Sequence, residues 1–409
     1  MKTIEDLRSK FPALNQKVYG KTLVYLDNAA TAQKPQELID LVNTMNSATN
    51  ANVHRGLYDL SDRVTALYEG ARDKVRDFIN APQRENIIFT SGTTASINLV
   101  ASSFGQMSLR PGDSVIVTQD SHHSNIVPWQ LACKRAGAEL KVLPIDDNGQ
   151  WILDELYNLI DTKVKMIAVP HISNVLGLVN PIKKVIDIAH KFNIPVLVDG
   201  AQGIVHAKVD VVELDCDFYA FSGHKIYAEP GIGILYGKKE LLEQMPPFMG
   251  GGDMVGTVTF TNTSYAALPL KFEAGTPNFI GAASLTPALD LALELRRGSL
   301  ADELAKSEKA IISYMLDALS QIKSLKIYGL GENKIPLFSF TIDGAHPQDL
   351  AMILDKMGFA FRTGMLCAEP LMQRFGVNSM LRVSFAAYNT LEEAEAFISA
   401  LKKAVKMFE

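Results

Sequence analysis

Several features that mark whole protein classes are scarce or missing here. Only three cysteines occur in 409 residues, Cys133, Cys216 and Cys367. They are odd in number and far apart, which argues against a disulfide framework and against zinc ligation of the CxxC kind. No apolar run approaches the roughly 20 residues that cross a bilayer. The opening MKTIEDL carries acids early and has no apolar core of a secretory signal. There is no basic excess either, since the formal net charge is −5 and the pI is near 6, so nucleic acid is not an expected partner. No repeat or low-complexity segment interrupts the chain. The expectation is a soluble, mildly acidic protein of the reducing cytoplasm.

What is present is ordinary globular composition, 47% hydrophobic and 21% charged, in a chain long enough for one large core and one smaller one. From about residue 86 helices and strands alternate: Asn86–Phe89, Ser114–Thr118, Leu140–Leu143, Lys165–Val169 and Val196–Val198 read as strands with helical patterns between them. That rhythm is the signature of crossover units in a mostly parallel sheet covered on both faces, an α/β fold. From about residue 283 a helix-rich stretch is followed by Leu337–Ile342, Phe359–Arg362, Leu381–Phe385 and a final helix opened by a Thr390/Glu393 capping box. The expected division is a large domain over 26–282 and a smaller α+β domain built from 1–25 and 283–409.

The chemistry centres on Asp217–Lys225 (DFYAFSGHK), an apolar run that ends in a hydroxyl, a glycine, an imidazole and an amine. A further apolar run, Ile232–Tyr236, follows, so the Lys225 amine lies between two buried strands. Burial favours a neutral amine, which can attack a carbonyl to form an imine, although a lysine after a strand can also simply snorkel. Upstream, Val196-Leu197-Val198 ends in Asp199 at the edge where open α/β sheets place ligands. A lysine to hold an aldehyde and a carboxylate to keep a pyridine nitrogen protonated are the two groups a pyridoxal phosphate site needs. Asp199 alone could equally cap a helix.

Other candidates lie past strand ends. Ser91-Gly92-Thr93-Thr94 opens a helix with hydroxyls and free N–H groups, an anion site or plain capping. His122 and His123 are adjacent, so at most one faces a site; a planar imidazole there can stack on a flat ring, and no metal partners stand at ligand spacing. Asn174 follows a strand, His54 and Arg55 sit on a loop, and Asp27–Thr31, with Ala29, turns into small residues. Glycines at 250–252 are too irregular for a nucleotide fingerprint. Arg382 lies inside an apolar strand and needs a partner, a substrate carboxylate or a structural acid. Cys133 and Cys216 sit among core residues, whereas Cys367 lies in a loop with no flanking histidine or lysine.

Taken together the residues resemble the SufS-type (group II) cysteine desulfurases among the fold-type I pyridoxal-phosphate enzymes of aminotransferase class V. The likeness is carried by LDNAAT at 26–31, VHRG at 53–56, SGTT at 91–94, HHSNIVPWQ at 122–130, SNVLG at 173–177, VDGAQ at 198–202, DCDFYAFSGHK at 215–225, FEAGTP at 272–277, RTGMLC at 362–367 and AAYNT at 386–390.

The resemblance implies a large domain with a mostly parallel seven-stranded sheet, pyridoxal 5'-phosphate as cofactor, a homodimer, and conversion of L-cysteine to L-alanine. Sulfur would be left as a persulfide on Cys367 and passed to a SufE- or SufU-like acceptor and an iron–sulfur scaffold. It also implies roles: Lys225 binds the cofactor aldehyde, Asp199 pairs with the ring nitrogen, His122 stacks on the ring and Gln202 bonds its hydroxyl. Thr93, Thr94, Ser222 and His224 hold the phosphate, with Thr276 from the other subunit. Asn174 and Arg382 take the substrate carboxylate near Ala29, and His54 and Arg362 line the sulfur side. Two departures stand out. Met365-Leu366 replaces a frequent histidine pair, and Ala228-Glu229-Pro230 replaces glycine-proline-threonine. Selenocysteine lyase, another cysteine lyase without a persulfide, and a non-catalytic scaffold partner of the same fold are the competing functions.

Overall fold

Seven strands assemble the central sheet, and most read as unbroken apolar segments because both faces are covered. In a computed structural model that describes residues 3–408, they are β1 (Ile87–Thr90), β2 (Ser114–Thr118), β3 (Glu139–Leu143), β4 (Val164–Pro170), β5 (Val196–Asp199), β6 (Phe218–Ser222) and β7 (Gly233–Gly237). Their spatial order is β1-β7-β6-β5-β4-β2-β3. Only β7 runs antiparallel to its neighbours, β1 and β6; every other pairing is parallel. The expected α/β class and mostly parallel seven-stranded sheet are both present. Met1 and Lys2, part of the segment expected to join the small domain, and Glu409 lie outside the described residues.

Alternate residues along each strand feed opposite cores, as the two-residue period of a strand requires. Ile116, Ile167, Val198, Tyr219 and Ile234 join one cluster, while Val117, Ala168, Leu197, Ala220 and Leu235 join the other. Helix Asp59–Phe78 buries Val64, Tyr68, Ala71 and Val75 on the first face. Leu67, on the same helix, is 37% exposed.

A second, four-stranded antiparallel sheet is built from β8 (Leu325–Tyr328), β9 (Leu337–Ile342), β10 (Arg362–Gly364) and β11 (Met380–Ser384) in the order β8-β9-β11-β10. Its core takes Phe338, Phe340, Leu381 and Val383 together with Ile311, Met315, Leu350, Phe397 and Leu401 from helices Gly298–Ser320, Pro347–Lys356 and Leu391–Val405. The Thr390/Glu393 capping box is formed.

The boundary expected at 283 falls inside helix Phe279–Glu294. That helix contributes Ala282, Leu285, Ala288 and Leu289 to the large core, and the small core begins with the helix after it. The N-terminal segment is likewise shared: Leu7, Phe11 and Leu14 pack into the large core, while Leu26 packs into the small one. The single strand expected over 359–362 is two. Phe359–Ala360 pairs in parallel with Val24–Tyr25, and Arg362–Gly364 turns to pair with β11.

Candidate active site

The C-terminal ends of β1, β2, β4, β5 and β6 converge on a cavity of about 300 Å³, closed from the other side by β10, β11 and the loop between them. Lys225 enters it from the single 3-10 turn Gly223–Lys225 after β6, and Asp199 from the last residue of β5. Burial lowers the Lys225 amine to about 8, with Asp199 opposing the shift. The Asp199 carboxyl is 5% exposed. Burial raises its pKa, against the Ala201 N–H, which donates to it at 3.0 Å, and the charge of Lys225. A buried carboxyl and a desolvated amine thus face one space, and the attraction of each for the other's charge offsets only part of the cost of burial.

At one end of the cavity lies the first turn of helix Thr93–Ser108, whose N–H groups have no intrahelical acceptors. The Thr93 N–H donates to Ser222 Oγ at 2.8 Å, the Thr93 hydroxyl lies 2.7 Å from the same oxygen, and Thr94 Oγ1 is 2.7 Å from Ser124 Oγ. A Cβ at Gly233 would lie 2.3 Å from Gly92 Cα, so only glycine lets β7 press against this turn. His224 is held neutral, at about 4, by burial and then by Lys225 and Lys34. Hydroxyls and free N–H groups at a helix N-terminus make a ready cradle for a phosphate.

His122 lines the same cavity. Burial, then Lys225, depresses its imidazole to about 3, and its Nδ1 accepts from the Ser124 N–H at 3.0 Å. Gln202 is anchored by donation of Nε2 to the Ala29 carbonyl at 2.7 Å.

Across the cavity stand two arginines. Arg362 and Arg382 are direct cross-strand partners on β10 and β11, a placement of like charges that disfavours pairing unless it is neutralised. Asp27 neutralises it, accepting from Arg362 Nε and Nη2 at 3.1 and 2.9 Å and from Arg382 Nη2 at 3.2 Å. Arg382 is 3% exposed and donates Nη1 to the Asn174 carbonyl at 2.9 Å. Its Nε is buried with no hydrogen-bond partner among the described residues. An orphan donor on a buried guanidinium is the feature a substrate carboxylate would satisfy.

Cys367 reaches the same cavity from the loop after β10. It is exposed, and both it and Leu366 adopt left-handed backbone, at φ 55 and 53. Such residues cost roughly 1–2 kcal/mol each and persist where the surroundings hold them. Here the Asn174 side chain donates to the Leu366 carbonyl at 2.9 Å and the His123 N–H donates to the Cys367 carbonyl at 2.7 Å.

Ala29, Thr93, Thr94, His122, Asn174, Asp199, Gln202, Ser222, His224, Lys225, Arg362, Cys367 and Arg382 therefore line one space. Two expected residues do not. Thr276 lines a separate cavity of about 260 Å³ with Phe248 and Met249. His54 meets Glu69 at 3.0 Å and stands edge-on to Tyr68. Sequence reasoning missed Asp27, His123, Ser124 and Lys34, whose amine donates to the His224 carbonyl at 3.2 Å. Of these, Asp27, His123 and Ser124 stood in motifs already noted, but nothing local shows what they bind.

The model of the family described as "Aminotransferase class-V" matches residues 24–397. The chain belongs to that family. It is 46% identical over 407 residues to a probable cysteine desulfurase of Vibrio cholerae, covering 100% of both chains, and 46% identical over 400 residues to a cysteine desulfurase of Cronobacter sakazakii, covering 98% and 97%. The solved cysteine desulfurase CsdA of Escherichia coli superposes with a TM-score of 0.91 at 37% identity over 100% of both chains. The apo cysteine desulfurase of Thermococcus onnurineus NA1 gives 0.92 at 34%, over 100% and 99%.

The fold is that of the fold-type I pyridoxal-phosphate enzymes, and the family's cofactor is pyridoxal 5'-phosphate. The residues present fit it: a desolvated amine, a buried carboxyl that accepts from the Ala201 backbone N–H, and an N-terminal helix cradle meet in one cavity. Among the described residues no group of three or more His, Cys, Asp or Glu is placed to hold a metal ion, and no helix is long and apolar enough to cross a membrane.

Proposed function

We propose that the protein is a SufS-type cysteine desulfurase that converts L-cysteine to L-alanine and keeps the sulfur as a persulfide on Cys367. The observation that carries this reading is that Cys367 and Lys225 line the same cavity, together with the buried Arg382. Relatives bearing that activity in their names match over almost the whole chain.

In this reading Thr93, Thr94, Ser222 and His224 hold the cofactor phosphate, Gln202 and His122 meet the ring, and Asp199 faces its nitrogen. When bound, the cofactor supplies an electron sink for charge developing at the substrate α-carbon. Arg382, with its free Nε, and Asn174 fix the substrate carboxylate, and this orients the α-proton. Lys225, largely neutral above about pH 8, takes that proton at Nζ. The Cys367 thiolate then receives the sulfur. An S–S bond forms as the substrate C–S bond breaks and leaves its electron pair on carbon; the proton given up by the Cys367 thiol goes to Cβ, and return of the α-proton from Lys225 Nζ completes alanine.

The exposed side chains of Leu57, Phe260 and Met249 support a homodimer, and Thr276, outside this chain's own cavity, would serve the second copy's phosphate. An exposed Cys367 suits delivery to a SufE- or SufU-like acceptor and then to an iron–sulfur scaffold, in the cytoplasm.

Mass spectrometry after incubation with L-cysteine tests the assignment. One added sulfur on Cys367 is expected, and none on Cys133, whose thiol burial pushes up to about 11, or on Cys216, which burial raises further. Alanine formation undiminished in Cys367→Ser would instead indicate a lyase without a persulfide, selenocysteine lyase included. Absence of any turnover by the loaded protein would favour a scaffold partner.

A further inference from the structure

A third cavity of about 270 Å³ opens between the two cores and shares no lining residue with the first, which holds Lys225. Its walls are Tyr227 and helix Phe279–Glu294 on the large-domain side, and helix Gly298–Ser320 with Phe385–Ala387 on the other. Ile226 and Tyr227 directly follow Lys225, so the two cavities flank one short segment.

Most of the lining is apolar, but it contains two charges of opposite sign. Arg296 is half-buried. One of its nitrogens donates to the Ile204 carbonyl at 2.8 Å, and its guanidinium lies over the Phe78 ring. Glu308, on helix Gly298–Ser320, is half-buried too. Burial raises the Glu308 pKa and lowers that of Arg296. Neither has an ion-pair partner among the described residues, and they do not pair with each other. His206, kept neutral at about 4 by burial and then by Arg296, stands beside them. Charges withdrawn from water without a partner cost stability, and the usual remedy, a salt bridge between them, has not formed.

We propose that this cavity binds a small zwitterionic molecule with an apolar body, its cationic group at Glu308 and its anionic group at Arg296. An aliphatic amino acid has that chemistry: two opposite charges and a branched apolar tail for the Ala292, Leu295 and Leu304 wall.

The test is calorimetric titration of the cofactor-loaded protein with L-leucine, and with 3-methylbutylamine and 4-methylpentanoate as probes carrying one charge each. L-Leucine is expected to bind, and each single-charge probe more weakly. Glu308→Gln and Arg296→Gln should each weaken L-leucine by about tenfold or more, as expected for loss of a charge-assisted hydrogen bond. Arg382→Ala, which alters only the first cavity, should leave that binding unchanged. Because Arg296 also holds the Ile204 carbonyl, its variant counts only if its thermal melt is native-like; Glu308→Gln otherwise decides alone. Three results would each overturn the proposal: no binding of L-leucine, binding indifferent to Glu308→Gln, or binding abolished by Arg382→Ala.

Discussion

The His123 backbone N–H donates to the Cys367 carbonyl oxygen at 2.7 Å. The same histidine accepts at Nε2 from the Glu369 N–H at 2.9 Å, so one residue grips the cysteine loop on both sides of Ala368. Replacing His123 by alanine removes the second contact and keeps the first. The lost bond is worth about 1 kcal/mol, so alanine formation from L-cysteine should fall about fivefold with the cofactor's absorbance unchanged. Hydrogen exchange at the Glu369 amide should rise in the same variant. Unaltered rate and exchange would show that the loop holds itself.

Arg382 offers a planar guanidinium whose Nη1 and Nη2 are fixed by Asn174 and Asp27, leaving Nε for a ligand. Lysine keeps the charge and loses that geometry. Arg382→Lys should therefore raise KM for L-cysteine by roughly 10- to 100-fold, the worth of a charge-assisted hydrogen bond, while kcat changes less. Steady-state kinetics decide this, and an unchanged KM would place the carboxylate elsewhere.

Four histidines have depressed pKa values through burial: His122 at about 3, and His171, His206 and His224 at about 4. Below pH 6.5 the unfolded chain binds protons that the folded chain refuses, so their contribution is complete above 6.5 and is lost as pH falls toward 4. His171 is 6% exposed and its Nδ1 lies 2.9 Å from the Tyr219 hydroxyl. Its share is on the order of 3 kcal/mol. Urea unfolding at pH 7 and 4.5 should show a smaller drop for His171→Gln than for the wild type, and equal drops would remove His171 from the account.

Glu273 accepts from Arg72 Nη1 at 2.7 Å and Nη2 at 2.9 Å, from the Tyr68 hydroxyl at 2.8 Å and from the Phe89 N–H at 2.7 Å. Arg72 is fully buried. Glu273→Ala removes the bidentate partner of that buried cation and leaves it only Glu69, which meets its Nε at 3.2 Å, and this should cost about 3 kcal/mol of stability. Chemical denaturation measures it, and a loss below 1 kcal/mol would mean that Glu69 alone satisfies Arg72.

Residues at strand ends were the legible part of the site. Lys225, Asp199, Asn174 and His122 each follow an apolar run, and the parallel sheet carries such ends to one edge. The sheet's class was legible for the same reason, since strands covered on both faces leave continuous apolar segments. Contacts between distant segments were not legible. Asp27 reads as part of a small-residue turn, and its grip on Arg362 and Arg382 exists only because β10 and β11 are cross-strand neighbours. His123 looks like the redundant member of a pair until the loop around Cys367 folds back on it. The domain boundary was misplaced because helix Phe279–Glu294 is apolar on nearly every side, which gives no sign of which core it joins.

Borohydride reduction of the cofactor-loaded protein, followed by peptide mapping, tests the central claim most directly, because it fixes the cofactor to the amine that held it. The account predicts the label on Lys225, opposite Asp199, and its loss in Lys225→Ala. Label on Lys34, whose amine donates to the His224 carbonyl and is lowered by burial to about 8, or no label on any lysine, would contradict it.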